Sequence, residues 1–340
     1  MEISNFNVRP AGVVLPPEHV IFGSTPAMTA LRETLQKIAD TNIPVLIEGE
    51  SGTGKEVICR YIHQNSRWAQ GPFVKVNCPA IPGTLVESEL FGYEKGAFTG
   101  AYGAKPGRVT GADTGTLFLD EISELDMALQ SKLLQLLQDG QFVPLGASEE
   151  RKVNIRVVCA TSRALGEEAA RGRFRQDLYY RITGVILRLP ALRERVADLA
   201  MLADHLIAAY NDQFRCRAAP LSSSTMLLLK AHPWTGNIRE LENLIKRYVV
   251  LGSEDAITSE LKWNREKSPE PEISLQNPVA LGAVTRAAVR DLEDKIILDT
   301  LQANQWNRKR TARALQISYR SLLYKLKRAG VDNRRAMTPQ

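Results

Sequence analysis

Apolar residues follow two different patterns along this chain. Between about Val20 and Pro190, short apolar runs at Val45 to Ile47, Phe73 to Val76, Thr116 to Leu119, Ile155 to Ala160 and Val185 to Leu189 alternate with helical stretches. Runs of this length read as buried strands, and their alternation with helices predicts a parallel sheet with helices on both faces. From Ala191 to about Leu261 the strand signals stop and the chain reads as helices, most clearly over Leu199 to Tyr210 and Ile238 to Leu251. Asn264 to Gly282, with Ser268-Pro269-Glu270-Pro271-Glu272 and Asn277-Pro278, has the proline and polar content of a linker. Helical character then returns as far as Ala329. Val284 to Gln302 is an amphipathic candidate through Ala288, Leu292, Ile296 and Leu298 or Asp299. The expected organisation is a short tail (1–19), an α/β subdomain (20–190), a smaller helical subdomain (191–263), a linker (264–284) and an all-α end (285–340).

Composition narrows the function classes. The chain has 340 residues, 44% of them hydrophobic, enough for substantial cores. No apolar run exceeds strand length, and Met1 to Pro10 lacks the basic start and apolar core of a secretory leader, so a cytoplasmic protein with no membrane partner is expected. Cys59, Cys78, Cys159 and Cys216 are scattered without a CxxC pair, which argues against a zinc site or disulfide framework; they read as small core residues. Charge is uneven. From Arg286 to Gln340, 13 Lys plus Arg stand against 5 Asp plus Glu, whereas the preceding 285 residues hold 31 basic and 33 acidic side chains. A cationic end on a near-neutral body predicts a polyanion partner.

The sharpest chemistry follows the first strand. Gly49-Glu50-Ser51-Gly52-Thr53-Gly54-Lys55-Glu56 is a glycine-rich loop between a strand and a helix start, in the GxxxxGK pattern. Glycines let successive N–H groups face phosphates, the helix N-terminus adds positive potential, and Lys55 supplies a mobile cation. The generic motif continues with Ser or Thr as a magnesium ligand; here Glu56 stands at that position. About sixty-five residues further on, Gly115-Thr116-Leu117-Phe118-Leu119-Asp120-Glu121 is a buried-type strand ending in two carboxylates. Strand geometry points adjacent side chains in different directions, so Asp120 is assigned to Mg2+ and Glu121 to the attacking water of an ATPase.

Between these motifs lies Gly96-Ala97-Phe98-Thr99-Gly100-Ala101, which reads GAFTGA. On these residues the chain resembles the bacterial enhancer-binding proteins, AAA+ activators of the sigma-54 form of RNA polymerase, from about Val20 to Leu261 and again in the tail. The resemblance implies a P-loop AAA+ parallel sheet, a helical lid and a C-terminal helix-turn-helix domain. It also implies that the GAFTGA loop touches sigma-54, with Phe98 and Thr99 at its tip. Glu56 fits this family, whose loop resembles GESGTGKE. By the same resemblance Asn77 holds Glu121 until the site is assembled, and Thr161 senses the γ-phosphate. Ser162 stands where the family usually has Asn. Phe174 to Arg181 resembles the segment bearing arginine fingers, which assigns Arg175 and Arg181 to a neighbouring subunit's phosphates. Pro233 to Asn243 resembles the second-sensor helix, with Arg239 on nucleotide. Such sites imply a ring, a hexamer by resemblance.

In the tail, Asn307 to Leu315 and Tyr319 to Arg328 read as two helices around a tight turn and resemble a Fis-type helix-turn-helix. Ser318 is expected to cap the second helix. Tyr319, Arg320 and Ser321 face the major groove of enhancer DNA in this reading, and Lys325, Lys327 and Arg328 meet phosphates. Leu315, Leu322, Leu323 and Leu326 are expected core. Gln316 occupies a turn position where the pattern often has Gly, which predicts a slightly strained turn. The resulting expectation is a DNA-bound ATPase that remodels the sigma-54 polymerase–promoter complex. Two other functions use the same residues: an AAA+ remodeller of another protein, and a non-hydrolysing, ATP-controlled repressor. Nineteen residues before the motor are too few for a sensory domain, which leaves control in trans, through abundance, or through a domain outside this sequence.

Overall fold

The computed structural model describes residues 15–81, 83–259 and 307–328, together with 261, 297, 300 and 301. Five strands form one parallel sheet: β1 (Val45–Glu48), β2 (Phe73–Asn77), β5 (Thr116–Asp120), β8 (Arg156–Thr161) and β9 (Val185–Arg188), in the order β2-β5-β8-β1-β9. These are the five predicted runs. Their apolar residues come in consecutive runs because both faces of the sheet are covered. Leu46, Leu117, Leu119, Val157 and Cys159 point into one core, while Val45, Ile47, Phe118, Val158 and Ala160 point into the other.

The helices of this α/β part are α1 (Glu18–Phe22), α2 (Pro26–Ile38), α3 (Lys55–Gln64), α4 (Gly83–Phe91), α5 (Arg108–Gly111), α6 (Met127–Asp139), α7 (Leu165–Ala170) and α8 (Gln176–Ile182). Leu31, Leu35, Ile58 and Ile62 of α2 and α3 fill one core. Leu129, Leu133, Leu178 and Ile182 of α6 and α8 fill the other. Helix α6 starts sharply because the Asp126 side chain accepts from Leu129 N–H at 2.9 Å, and it ends at the left-handed Gly140. Cys59, Cys78 and Cys159 are buried as expected; Cys216 is only half-buried, at the edge of the helical subdomain.

Two short antiparallel ribbons were not foreseen. One pairs β3 (Gly92–Tyr93) with β4 (Lys105–Pro106), the other β6 (Gln141–Phe142) with β7 (Arg151–Lys152). They touch: Glu94 N–H donates to the Leu145 carbonyl at 2.9 Å, Leu145 N–H donates to the Gly92 carbonyl at 3.0 Å, and Arg151 pairs with Glu94.

The helical subdomain contains α9 (Leu199–Phe214), α10 (Ser223–Ala231) and α11 (Asn237–Leu251). Its separate core includes Leu202, Ile207, Trp234, Leu241, Ile245 and Tyr248. The described residues after 268 belong to a second compact unit. There α12 (Arg308–Ala314) and α13 (Tyr319–Arg328) are joined by a turn in which Gln316 takes φ +54, the left-handed conformation glycine favours. Ile297, Leu301, Ala312, Leu322 and Leu326 form its core, with Leu315 partly buried against it and Leu323 half-buried. Of the predicted Val284 to Gln302 helix, Ala288, Leu292, Ile296, Leu298 and Asp299 lie outside the described residues, as do the linker and most of the first nineteen positions. Among the described residues no helix is long and apolar enough to cross a membrane.

Candidate nucleotide site

Strand β1 ends beneath the glycine loop, and the loop is anchored to β8, where Gly49 N–H donates to the Thr161 carbonyl at 3.2 Å. Gly52 and Gly54 take φ of +81 and +96, which curls the loop so that α3 starts at Lys55. Lys55 is 6% exposed; its Nζ donates to the Gly49 carbonyl at 2.8 Å and lies 3.4 Å from Glu121 Oε1. Asp120 closes β5, and Glu121 follows it at φ +55, a left-handed turn at a non-glycine residue. That turn carries the Glu121 carboxylate toward the end of β8. Ser162 N–H and Oγ both donate to its Oε2 at 2.8 Å. Asn77 ends β2 in register with Asp120 and makes no hydrogen bond to Glu121 among the described residues. Thr161 is fully buried, with its Oγ1 3.3 Å from Ser123 Oγ.

Beside Asp120 lies a side chain that sequence reading passed over. Lys75 Nζ is 2.6 Å from Glu56 Oε2 and 3.3 Å from Asp120 Oδ2, and Arg60 also holds Glu56, at 2.8 Å. Burial opposes charge on Glu56 and Lys75 alike, but their hydrogen bonds outweigh it. Glu56 stays below the usual carboxylate range, helped by Arg60, and Lys75 above the usual amine range.

The helical subdomain closes over the loop. Asn237 is fully buried at φ +54; its Nδ2 donates to the Ser51 carbonyl at 3.0 Å and to Glu50 Oε2 at 3.1 Å, and its Oδ1 accepts from Leu192 N–H at 2.8 Å. Ile238 N–H donates to the Gly52 carbonyl at 3.0 Å, and a Cβ at Gly52 would overlap the Gly236 carbonyl oxygen. Arg239 Nη1 donates to Ser51 Oγ at 3.0 Å. Hydrogen bonds from Arg193 first, and then from Asn237, lower the Glu50 carboxyl to about 2. Where loop, α1 and α9 meet, Val20, Ile21, Val57, Leu202, His205 and Ile238 line an apolar slot of about 100 Å³. Each of those residues would pass for ordinary core in sequence, so the slot had no recognisable signal.

The remaining expected residues lie elsewhere. Arg175 pairs with Asp177 at 2.7 Å and donates to Ser131 Oγ at 3.0 Å, while Arg181 donates to the Leu137 carbonyl at the end of α6 at 2.7 Å. Neither reaches its own chain's glycine loop among the described contacts. Gly96 to Ala101 forms a closed turn beyond β3, with Gly96 N–H donating to the Ala101 carbonyl at 2.9 Å and positive φ at Gly96 and Gly100. Phe98 leans edge-on against Tyr93, ring centroids 5.0 Å apart, yet stays 42% exposed, so it is not folded into a core. In the second unit Ser318 Oγ accepts from Ser321 N–H at 3.1 Å at the start of α13. Ser318, Tyr319 and Arg320 are exposed there, and Ser321 and Lys325 half-buried.

A glycine loop between β1 and α3, a strand two places along the same sheet that ends at Asp120 with Glu121 next, and a helical lid hydrogen-bonded to that loop together define a nucleotide-binding P-loop ATPase of the AAA+ class. The profile described as "Sigma-54 interaction domain" matches residues 21–188, "AAA+ ATPase lid domain" matches 193–267, and "Bacterial regulatory protein, Fis family" matches 288–328. The chain is 43% identical over 313 residues to Regulatory protein AtoC of Escherichia coli (strain K12), covering 92% of this chain and 68% of AtoC. It is 39% identical to Response regulator protein PilR of Pseudomonas aeruginosa, covering 95% and 73%. The crystal structure of NtrX from Brucella abortus in complex with ADP superposes with a TM-score of 0.67 at 32% identity, covering 91% of this chain and 68% of that one. The chain belongs to the bacterial enhancer-binding proteins, the sigma-54-dependent AAA+ transcription activators. It is an ATPase that acts on sigma-54 RNA polymerase and binds DNA through its helix-turn-helix.

Proposed function

We propose that this chain binds an upstream enhancer through α13, assembles into a hexameric ring in the cytoplasm, and uses ATP hydrolysis to drive the Phe98–Thr99 turn against the closed sigma-54 promoter complex. The phosphates lie along the amides of Gly49 to Gly54 with Lys55 on the terminal groups, and the base enters the slot lined by Val20, Ile21 and Leu202. Ser51 and Arg239 face the phosphates from the loop and the lid. Glu121 accepts the proton of the attacking water. The bonds from Ser162 and the nearby Lys55 ammonium hold its carboxylate in position. Asp120 is a hard oxygen donor at the strand end, and this suits Mg2+, which takes one or two carboxylates and completes its shell with phosphate oxygens and water. When bound there, Mg2+ supplies charge neutralisation on the phosphates. Thr161, buried and tied to Gly49, is placed to respond to the γ-phosphate. Arg175 and Arg181 act on a neighbouring subunit's nucleotide, which requires Arg175 to leave Asp177. On the DNA side, Tyr319, Arg320 and Ser321 read bases, and Lys325 meets backbone phosphate.

The observation that carries this reading is the GAFTGA turn, with Phe98 and Thr99 exposed at its tip, in the same unit as the Lys55–Glu121 pair. Thr99→Ala is expected to keep steady-state ATPase activity and lose transcription from a sigma-54 promoter in a reconstituted assay. ATP-independent activation of promoters of the major sigma factor, with none on sigma-54 promoters, would overturn the reading.

A further inference from the structure

Hydrolysis as proposed leaves Lys75 without a task, although its ammonium lies beside Asp120. Lys75 projects from β2 opposite Phe118 of β5, and its ammonium sits between two carboxylates, 2.6 Å from Glu56 and 3.3 Å from Asp120. Glu56 cannot follow the ammonium toward Asp120, because Arg60 one turn along α3 holds it at 2.8 Å. One cation is therefore shared between a fixed carboxylate and the carboxylate assigned to the metal.

Magnesium takes oxygen ligands, and an ammonium 3.3 Å from Asp120 Oδ2 repels a dication on the same carboxylate, so metal and Lys75 compete for the charge of Asp120. The shorter contact to Glu56 gives the displaced ammonium a partner already in place. We propose that Lys75 is a tethered counter-cation, which neutralises Asp120 when no metal is present and withdraws onto Glu56 when metal binds, so that it sets the metal affinity of the site. The departure at position 56 then has a physical account: a glutamate in place of the generic hydroxyl holds the displaced lysine instead of ligating the metal. This inference rests on the assignment of Asp120 to the metal.

The test is titration of the full chain, saturated with ADP, with Mn2+ as the probe and electron paramagnetic resonance reporting the free ion. Lys75→Gln removes the competitor and is expected to tighten Mn2+ binding by about three- to tenfold, the scale of a partly exposed ion pair. Glu56→Gln removes the resting place and is expected to weaken it. Lys75→Arg stays near wild type, and the double variant follows Lys75→Gln. A role in folding alone could only loosen metal binding, so a gain in affinity separates the two. Unchanged or weaker Mn2+ binding in Lys75→Gln overturns the proposal, and if that variant does not fold, unchanged binding in Glu56→Gln does so. Mn2+ binding that survives Asp120→Asn intact would instead overturn the assignment of Asp120.

Discussion

Replacing Asn237 with alanine removes a fully buried side chain whose polar atoms are all engaged, toward Leu192 on one side and Glu50 and Ser51 on the other. The Leu192 N–H and the Ser51 carbonyl lose their partner, and each buried polar group left unsatisfied costs about 1–3 kcal/mol. The backbone adds a further cost. Asparagine tolerates φ +54, whereas alanine in the left-handed region costs about 1–2 kcal/mol. Taking the low end of each, because Glu50 borders solvent, lid opening becomes easier by about 3 kcal/mol, or roughly 150-fold in equilibrium constant. The chain has two compact units, so a single unfolding transition is the wrong measure. Hydrogen exchange of the full chain, followed peptide by peptide, measures lid opening directly. Amides of α9 and α11 in Asn237→Ala are expected to exchange about 100-fold faster than in wild type. Asn237→Gly loses the same hydrogen bonds without the backbone strain and should fall short of the alanine effect by about 1–2 kcal/mol. Exchange within about threefold of wild type for the alanine variant, or identical behaviour of glycine and alanine, would refute the reasoning.

Other outcomes follow from the same geometry. Lys55→Ala should abolish binding of a fluorescent ADP analogue, whereas Glu121→Gln should bind it normally and lose about 100-fold or more in steady-state hydrolysis. Gln316→Gly relieves a left-handed glutamine at about 1–2 kcal/mol against a smaller gain in unfolded-chain entropy, so the stability of the helix-turn-helix, read from its thermal unfolding, should rise by about 0.5–1 kcal/mol; a fall would show that Gln316 makes a contact worth more than the strain. Glu50 has its carboxyl lowered from 4.5 to about 2, so its contribution to lid closure is fully present above 4.5 and lost as pH falls toward 2. Glu50→Gln should therefore increase lid exchange near neutrality, and its difference from wild type should shrink over that acid window.

The five sheet strands could be read from sequence because a parallel strand covered on both faces is apolar at successive positions, a pattern that does not depend on what packs against it. The ribbons β3–β4 and β6–β7 could not: two residues per strand carry no periodicity, and their pairing rests on main-chain bonds such as Glu94 to Leu145. At the site, Lys55, Asp120 and Glu121 were found because each sits beside a strand end with a local motif. The long-range contacts around them were not, since Asn237 meets Glu50 across 187 positions and Lys75 meets Glu56 across 19. Ser162 was noted as a departure from Asn; its contact with Glu121 became visible only once the φ of +55 at Glu121 fixed where that carboxylate turns. The strained turn expected at Gln316 was legible because it depends on local backbone preference alone.

Gly52 gives the glycine loop a second constituency. Its left-handed φ serves the curl around phosphate, but its missing side chain also makes room for the Gly236 carbonyl, and its own carbonyl receives Ile238. An alanine there would press the lid off the loop even if the phosphate cradle somehow accommodated it. A defect at position 52 can therefore arise at the hinge of the motor rather than in its grip on fuel, and a loss of activity there would not by itself identify a loss of nucleotide affinity.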